Sequence, residues 1–144
     1  IGVLIMSLYK NWSMDPAKEV NGVAVEFEAN DDGTIPTFIV SRMGATNKPY
    51  LRALEQAQKP YQRQIQLKTI NKEFHEKLIL EVFATNIIKG WSNIQDENGN
   101  VLTFNKENSV KILTDLPEIY DNLFAVAMSA DMFKKDELED SAKN

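Results

Sequence analysis

The residue types that most often perform chemistry are few in this sequence and poorly placed for it. His75 is the only histidine, and the chain has no cysteine. A nucleophilic dyad or a zinc site needs several such side chains, and a disulfide needs two cysteines. The paired carboxylates lie on predicted strands, turns or a polar tail, where no apolar pocket would raise an acid pKa. We therefore expect no catalytic, cofactor-binding or metal-binding residues, and we predict that the protein is not an enzyme.

The pattern closest to a metal site begins at Asp96 and ends at Glu107. Calcium loops place oxygen ligands at positions 1, 3 and 5 and a bidentate carboxylate at position 12, and this segment has suitable residues at all four. Position 6 is Val101, however, where the sharp turn of a calcium loop needs glycine. We therefore expect a plain turn at Asn98-Gly99 rather than a calcium site.

Charge is distributed unevenly along the sequence. The formal net charge is −5, but residues 42–77 carry +5 and the remainder therefore carries −10. Arg52, Lys59 and Arg63 recur along one predicted helical stripe. Such a stripe can be a solvated helix face, a surface for a protein partner or a second copy of the chain, or a nucleic-acid contact. The acidity of the whole chain argues against nucleic acid, which leaves a solvated face, a protein partner or a homo-oligomer.

The hydrophobic period changes once along the chain. Between Gly22 and Arg42 apolar residues alternate with polar ones, which predicts a β-hairpin with its turn at Asn30–Gly33. After Asn47 the period becomes helical, and Pro60 should divide the first helical stretch. Further helices are expected at residues 71–89 with an end at Gly90, at 105–113, and from Pro117 onward. The predicted fold is α+β, mostly α, with an N-terminal β-hairpin packed on a bundle of about four helices.

The length and the two ends of the chain set its predicted organisation. A chain of 144 residues with 43% hydrophobic content is long enough for one globular domain with a core of its own. No apolar run reaches the ~18 residues of a membrane span, and no basic start of a signal peptide is present, so no membrane partner is expected. We interpret residues 1–5 as an upstream remnant before a Met-Ser start, residues 6–133 as a single globular domain, and residues 134–144 as a mobile acidic tail.

The second half of the chain carries several short motifs in a fixed order. They are a helix that leads into Gly90-Trp91, an acidic turn at residues 96–99, an apolar-aromatic step through Phe104 into Glu107-Asn108, and Leu116-Pro117 before a final amphipathic helix. This order and spacing resemble the tail assembly chaperones of long, non-contractile-tailed bacteriophages. The similarity is strongest over residues 81–119 and extends more loosely over residues 20–133.

The resemblance implies a non-enzymatic assembly factor that acts in the host cell cytoplasm. Such chaperones bind the tape measure protein, keep it soluble, and assist polymerisation of the tail tube subunits, without remaining in the virion. Trp91 and Phe104 are the aromatic candidates for contacting a partner, but for each of them the favoured interpretation is that of a core residue that locks the corner at Gly90 against the last helix. The alternative function is a structural or tail completion component that remains in the virion.

The resemblance also predicts a second, longer product. Members of this family are often made in two lengths, the longer by a backward slip of the ribosome by one nucleotide near the end of the shorter reading frame. The residues Ala142-Lys143-Asn144 can be encoded by a slippery run of adenines. We therefore expect this chain to be the shorter product and the residues after Phe133 to be a linker in the longer one.

Overall fold

The computed structural model describes residues 8–135. A three-stranded antiparallel sheet packs beside a set of helices, which confirms the predicted α+β, mostly helical fold. The elements in chain order are α1 (Pro16–Asn21), β1 (Val23–Glu26), β2 (Thr37–Val40), α2 (Lys48–Gln58), a 3-10 turn (Lys59–Tyr61), α3 (Gln62–Gln66), α4 (Lys72–Asn86), β3 (Ile88–Ser92), α5 (Lys106–Asp115), α6 (Pro117–Met128) and a last 3-10 turn (Ala130–Phe133). Residues 8–12 are also helical.

The predicted hairpin is formed by β1 and β2. The two strands are antiparallel, and Val23 lies opposite Val40. The turn falls where it was predicted, because the Gly33 N–H donates to the Asn30 carbonyl at 2.9 Å. Gly33 has φ +86°, a conformation that side chains with a Cβ rarely adopt. The connection between the strands is longer than the four turn residues, since β1 already ends at Glu26.

The prediction of a helix as far as residue 89 was wrong. Helix α4 ends at Asn86, and after one residue the chain becomes strand β3. This strand pairs antiparallel with β2, so Phe38 lies opposite Trp91 and Ile39 opposite Gly90. Gly90 therefore lies inside a strand instead of ending a helix. The sheet has the order β1-β2-β3, so β2 is the central strand and β3, which contains Trp91, lies at an edge.

The helical boundaries near Asn47 and Pro60 agree with the predictions. The Asn47 Oδ1 accepts a hydrogen bond from the Tyr50 N–H at 3.2 Å and so caps α2. Pro60 lies in the 3-10 turn that separates α2 from α3. Helices α2 and α5 both pack against α4. We call the stretch from Lys48 to Gln66 the basic arm, and it is attached to α4 through α2.

One buried cluster of side chains joins the sheet to the helices. Phe83 lies at its centre and is fully buried; its ring centroid is 5.2 Å from that of Tyr120 and 5.8 Å from that of Phe124. The other most deeply buried apolar members are Phe38, Val40, Ala84, Ile87, Ile88, Leu113, Leu123 and Ala127. Strand β2, helix α4 and helix α6 thus share one core.

Two buried serines satisfy carbonyl groups at the end of α4. The Ser109 hydroxyl donates to the Ala84 carbonyl at 3.1 Å, and the Ser41 hydroxyl donates to the Ile87 carbonyl at the same distance. The last carbonyls of a helix lack intrahelical donors, so these bonds compensate for the abrupt change from helix to strand. The serines connect that junction to β2 on one side and α5 on the other.

The two ends of the described chain lie together. Met14 pairs with Lys134 in an isolated antiparallel bridge, and the Asp15 N–H donates to the Phe133 carbonyl at 2.8 Å. The Lys134 ammonium lies 4.1 Å from the centre of the Trp12 ring. The interpreted remnant at residues 1–5 and all but the first two residues of the predicted tail lie outside the described residues.

Candidate partner-binding surface

Trp91 is half-buried in β3 and holds the following segment against the sheet. Its indole Nε1 donates to the Leu102 carbonyl at 2.9 Å. Its ring packs edge-on against Phe38 at 5.8 Å and against Phe104 at 5.1 Å between centroids. Geometries of this kind contribute about 0.5–1.5 kcal/mol per pair beyond the buried area. The two aromatic residues that the sequence singled out are therefore in contact with each other.

Phe104 covers the outer side of Trp91 and remains 38% exposed. It precedes α5 directly, and the next residue, Asn105, caps that helix by accepting from the Asn108 N–H at 2.8 Å. The Asn108 side chain in turn donates to the Thr103 carbonyl at 2.8 Å. These bonds fix the position of Phe104 although its ring is not enclosed.

The acidic turn after β3 is held by its own first residue. The Gly99 N–H donates to the Asp96 carbonyl at 3.1 Å, and Gln95 pairs with Val101, so the segment forms the predicted tight turn. The Asp96 Oδ1 accepts from the backbone N–H groups of Asn100 and Asn98, each at 2.9 Å. These hydrogen bonds, with that of Asn100 the largest, hold the pKa of Asp96 below its usual value.

Side chains tie this turn to the loop of the hairpin. The Gln95 amide donates to the Asp32 carboxylate at 3.0 Å, and the Asn30 amide donates to the Asn93 carbonyl at 2.9 Å. The Thr34 hydroxyl and N–H, followed by the Gln95 amide, hold the pKa of Asp32 below its usual value. The two loops are therefore joined into one edge of the molecule.

An open groove lies between this edge and the corner where α5 meets α6. It comprises two adjoining cavities of about 430 and 170 Å³, which share Gln95, Ile112 and Leu116 in their walls. Leu116 is 48% exposed, so its side chain is accessible to a partner in the groove. The remaining apolar wall is formed by Phe27, Pro36, Phe38, Ile94, Leu102 and Ile119. This floor can accommodate apolar side chains from a partner.

The rim of the groove is acidic, and we call the whole feature the acidic groove. Asp96, Glu97 and Asp115 contribute carboxylates to its wall. Among the described residues that line it, Lys111 is the one base, and its ammonium lies 2.7 Å from the Asp115 carboxylate. That hydrogen bond raises the pKa of Lys111. The groove therefore presents apolar contact area framed by negative charge.

The predicted basic residues lie elsewhere. Arg52, Lys59 and Arg63 are exposed on the basic arm, on α2, the 3-10 turn and α3 respectively. Within residues 8–135 their side chains make no ion pair. None of the three lines the acidic groove. The structure thus brings Trp91 and Phe104 together and separates them from the basic stripe.

Sequence reasoning missed the groove itself. Gln95 and Ile112 were not singled out, because each is unremarkable in its own segment, and Leu116 was noted only as part of the Leu-Pro motif. A signal was present at Leu116, since a large apolar residue directly before a helix-starting proline lies in a corner between two helices.

The described residues offer neither a metal site nor a membrane-spanning helix. Between residues 8 and 135, no group of three or more His, Asp or Glu side chains is arranged to hold a metal ion. Over the same range, no helix has both the length and the apolar character that crossing a membrane requires.

Comparison with known proteins identifies a family. No curated protein and no solved structure is significantly similar to the chain. The family model of the YdaY prophage protein matches residues 45–144, which include the basic arm and most of the acidic groove. This match covers more than two thirds of the sequence and indicates a protein of phage origin. The chain belongs to the YdaY prophage protein family.

Proposed function

We propose that this protein is a non-enzymatic phage tail assembly chaperone that binds the tape measure protein and assists polymerisation of the tail tube subunits. Its membership of a prophage protein family supports the phage setting. The resemblance of residues 81–119 to tail assembly chaperones supports the narrower role. In this proposal the protein acts in the host cell cytoplasm and works by binding alone.

The observation that carries the proposal is the position of the resembling motifs. Asp96 and Glu97 of the acidic turn form one side of the acidic groove, and Leu116 of the Leu-Pro motif forms the other. Trp91 and Phe104 hold the segment between them in place. Motifs that are separated along the chain therefore meet around one open surface.

The chemistry of that surface suits an amphipathic helix. An apolar groove accepts side chains spaced one helical turn apart, and the flanking carboxylates favour a helix that carries Lys or Arg beside its apolar stripe. The resemblance implies a tape measure protein that is long and helical, and such a protein contains many amphipathic segments of this kind. Repeated weak binding along one client would keep it soluble without any covalent step.

The proposal is tested by co-expression with the tape measure protein encoded in the same prophage. We expect the wild-type protein to copurify with it and to move it into the soluble fraction. Leu116→Asp should reduce the recovered complex about tenfold, because it removes an apolar contact worth ~1.4 kcal/mol or more. The new carboxylate stands at the N-cap position of α6, which has no side-chain cap, so the helix should be preserved.

The matched control is Val20→Asp, which changes another exposed apolar residue far from the groove in sequence and not part of its wall. This variant should copurify as the wild type does. Failure of the wild type to bind the tape measure protein, or equal loss in both variants, would overturn the proposal.

The alternative, a structural or completion protein of the tail, makes a different prediction about particles. Mass spectrometry of purified, mature phage particles should find the tape measure and tube proteins without this chain. Its presence in stoichiometric amount would replace the chaperone role with the structural one.

A further inference from the structure

The basic arm and the acidic groove carry complementary charge on separate surfaces of the same chain. Arg52, Lys59 and Arg63 are exposed and make no ion pair within residues 8–135. Helix α2 packs on α4, and so does α5, which supplies one wall of the groove. Because the three basic residues do not line that groove, a chain cannot satisfy its own arm with its own groove in this structure.

The negative charge of the groove is built into its rim. Hydrogen bonds from the backbone N–H groups of Asn100 and Asn98 hold the pKa of Asp96 below its usual value. Glu97 adds a further exposed carboxylate. Asp115 is already paired with Lys111, which leaves the rim with an excess of negative charge.

We propose that the basic arm of one copy binds in the acidic groove of a second copy, in a head-to-tail arrangement. Leu51 is exposed beside Arg52 and gives the arm an apolar side chain for the groove floor. The partner is thus identified by chemistry that the chain itself displays: a helix with basic residues beside an apolar one.

This arrangement has two consequences. Because the two contacting surfaces differ, each added copy leaves a free arm at one end and a free groove at the other, and the product is a ring or an open chain. Exposed ion pairs are individually weak and are screened by salt, so the assembly should dissociate as ionic strength rises. The inference goes beyond the proposed function and does not depend on the identity of a client.

Sedimentation velocity on the full chain without any client tests the proposal. At about 20 mM salt we expect species larger than the monomer, and at about 500 mM salt we expect mostly monomer, because screening shortens the range of the charges to a few ångströms. A wild-type protein that sediments as the same species at both salt concentrations would contradict the proposal.

Charge reversal locates the contact. Arg52→Glu combined with Arg63→Glu should weaken association at least tenfold at low salt, since two attractive pairs become repulsive. The matched control is Lys89→Glu with Lys106→Glu, which changes the net charge equally at exposed positions outside the arm and the groove wall. Circular dichroism checks that both variants are folded. Equal weakening by both pairs would show that only net charge matters and would overturn the docking geometry.

A mixture gives the sharpest result. Glu97→Lys with Asp115→Lys reverses the groove and should also abolish self-association. When this groove variant is mixed with the arm variant, the reversed arm meets the reversed groove, and association should return to within a few-fold of the wild type. If both variants are folded and the mixture remains monomeric, the arm and the groove are not partners.

Discussion

The basic arm and the segment formed by α4 and β3 are both built from helical or extended chain, yet they differ completely in burial. In the arm, Tyr50 is the one buried residue between Lys48 and Gln66. In the α4–β3 segment, Phe83 and Ile87 are fully buried and are surrounded by further core residues. The comparison teaches that the second region maintains the fold, whereas the first is free to serve as a surface.

Phe83→Ala should produce the largest loss of stability. The residue is fully buried, and its ring contacts Tyr120 and Phe124. Replacing a buried phenylalanine by alanine costs about 3–5 kcal/mol through lost burial and the cavity that remains. Urea unfolding followed by circular dichroism measures the change. A loss below about 2 kcal/mol would mean that the core has another centre.

Ser109→Ala should lower the free energy of unfolding by about 1–3 kcal/mol, because it leaves the buried carbonyl of Ala84 without its hydroxyl donor. Ser41→Ala is the matched comparison. The Ile87 carbonyl that it serves also accepts from the Ser41 backbone N–H at 2.9 Å, so the cost there should be smaller. Thermal unfolding of both variants under one condition tests the order, and the reverse order would contradict this account.

Asn47→Ala should cost about 1–2 kcal/mol, because the side chain caps α2. It also donates to the Arg42 carbonyl at 2.8 Å and so attaches the start of the arm to the loop after β2. Asn71→Ala removes the cap of α4, where the side chain accepts from the Phe74 N–H at 2.9 Å without a further tie. Chemical denaturation should therefore show a smaller loss for Asn71→Ala than for Asn47→Ala.

The stability of the core should fall at strongly alkaline pH. Burial, with Tyr50 and Asp121 nearby, raises the pKa of Tyr120 to about 12. An unfolded tyrosine titrates near ~10, so between these values the unfolded chain releases a proton that the folded chain retains. The contribution of Tyr120 to the free energy of unfolding is therefore complete below pH ~10 and is lost as the pH rises toward ~12.

We expect a loss of about 1 kcal/mol across that window, less than the full shift implies, because the Tyr120 ring is only half-buried. Unfolding measured at several alkaline pH values, with tyrosinate absorbance as a second signal, tests it. Tyr120→Phe should flatten the dependence, although Tyr50, whose pKa burial also raises, keeps part of it. An unchanged slope in Tyr120→Phe would assign the effect to other groups.

Leu67→Ala should produce the smallest effect. This residue closes α3 at the far end of the arm and is 62% exposed. Substitutions at such positions change stability by about 0.5 kcal/mol or less. Denaturation of this variant beside Phe83→Ala measures the contrast between the two regions directly. A cost above ~1 kcal/mol would show that the contribution to the core extends beyond Tyr50, Ala53, Leu54 and Ala57 to the far end of the arm.

The parts of the fold that depend on local chemistry were predictable. The turn at Gly33, the cap at Asn47 and the break at Pro60 each follow from one residue type in its own segment. Strand β3 was not predictable in this way. Ile87 and Ile88 continue the apolar pattern of α4, and the pairing that makes residues 88–92 a strand comes from β2, about fifty residues earlier in the chain.

On the surface, too, features that depend on one segment were predictable and features that join several segments were not. The exposure of the basic stripe followed from helical spacing. Trp91 and Phe104 were chosen as aromatic candidates for a partner, and the structure places their rings in contact with each other. The acidic groove could not be predicted from any one segment. Phe27, Gln95 and Leu116 come together only after the sheet and the α5–α6 corner have formed. No residue pattern within one segment indicates that these three residues lie close together.

The pairing of β2 with late parts of the chain has a consequence for synthesis. The hairpin leaves the ribosome first, and an isolated two-stranded hairpin is marginally stable at best. The Met43 N–H bonds to the Ala127 carbonyl, which is made 84 residues later. At 5–20 residues per second this interval lasts about 4–17 s, during which Phe38 and Val40 lack the part of their core that α6 supplies. A nascent chain stalled before α6 should therefore be protease-sensitive within β2, and the fold is completed only when the last helix emerges.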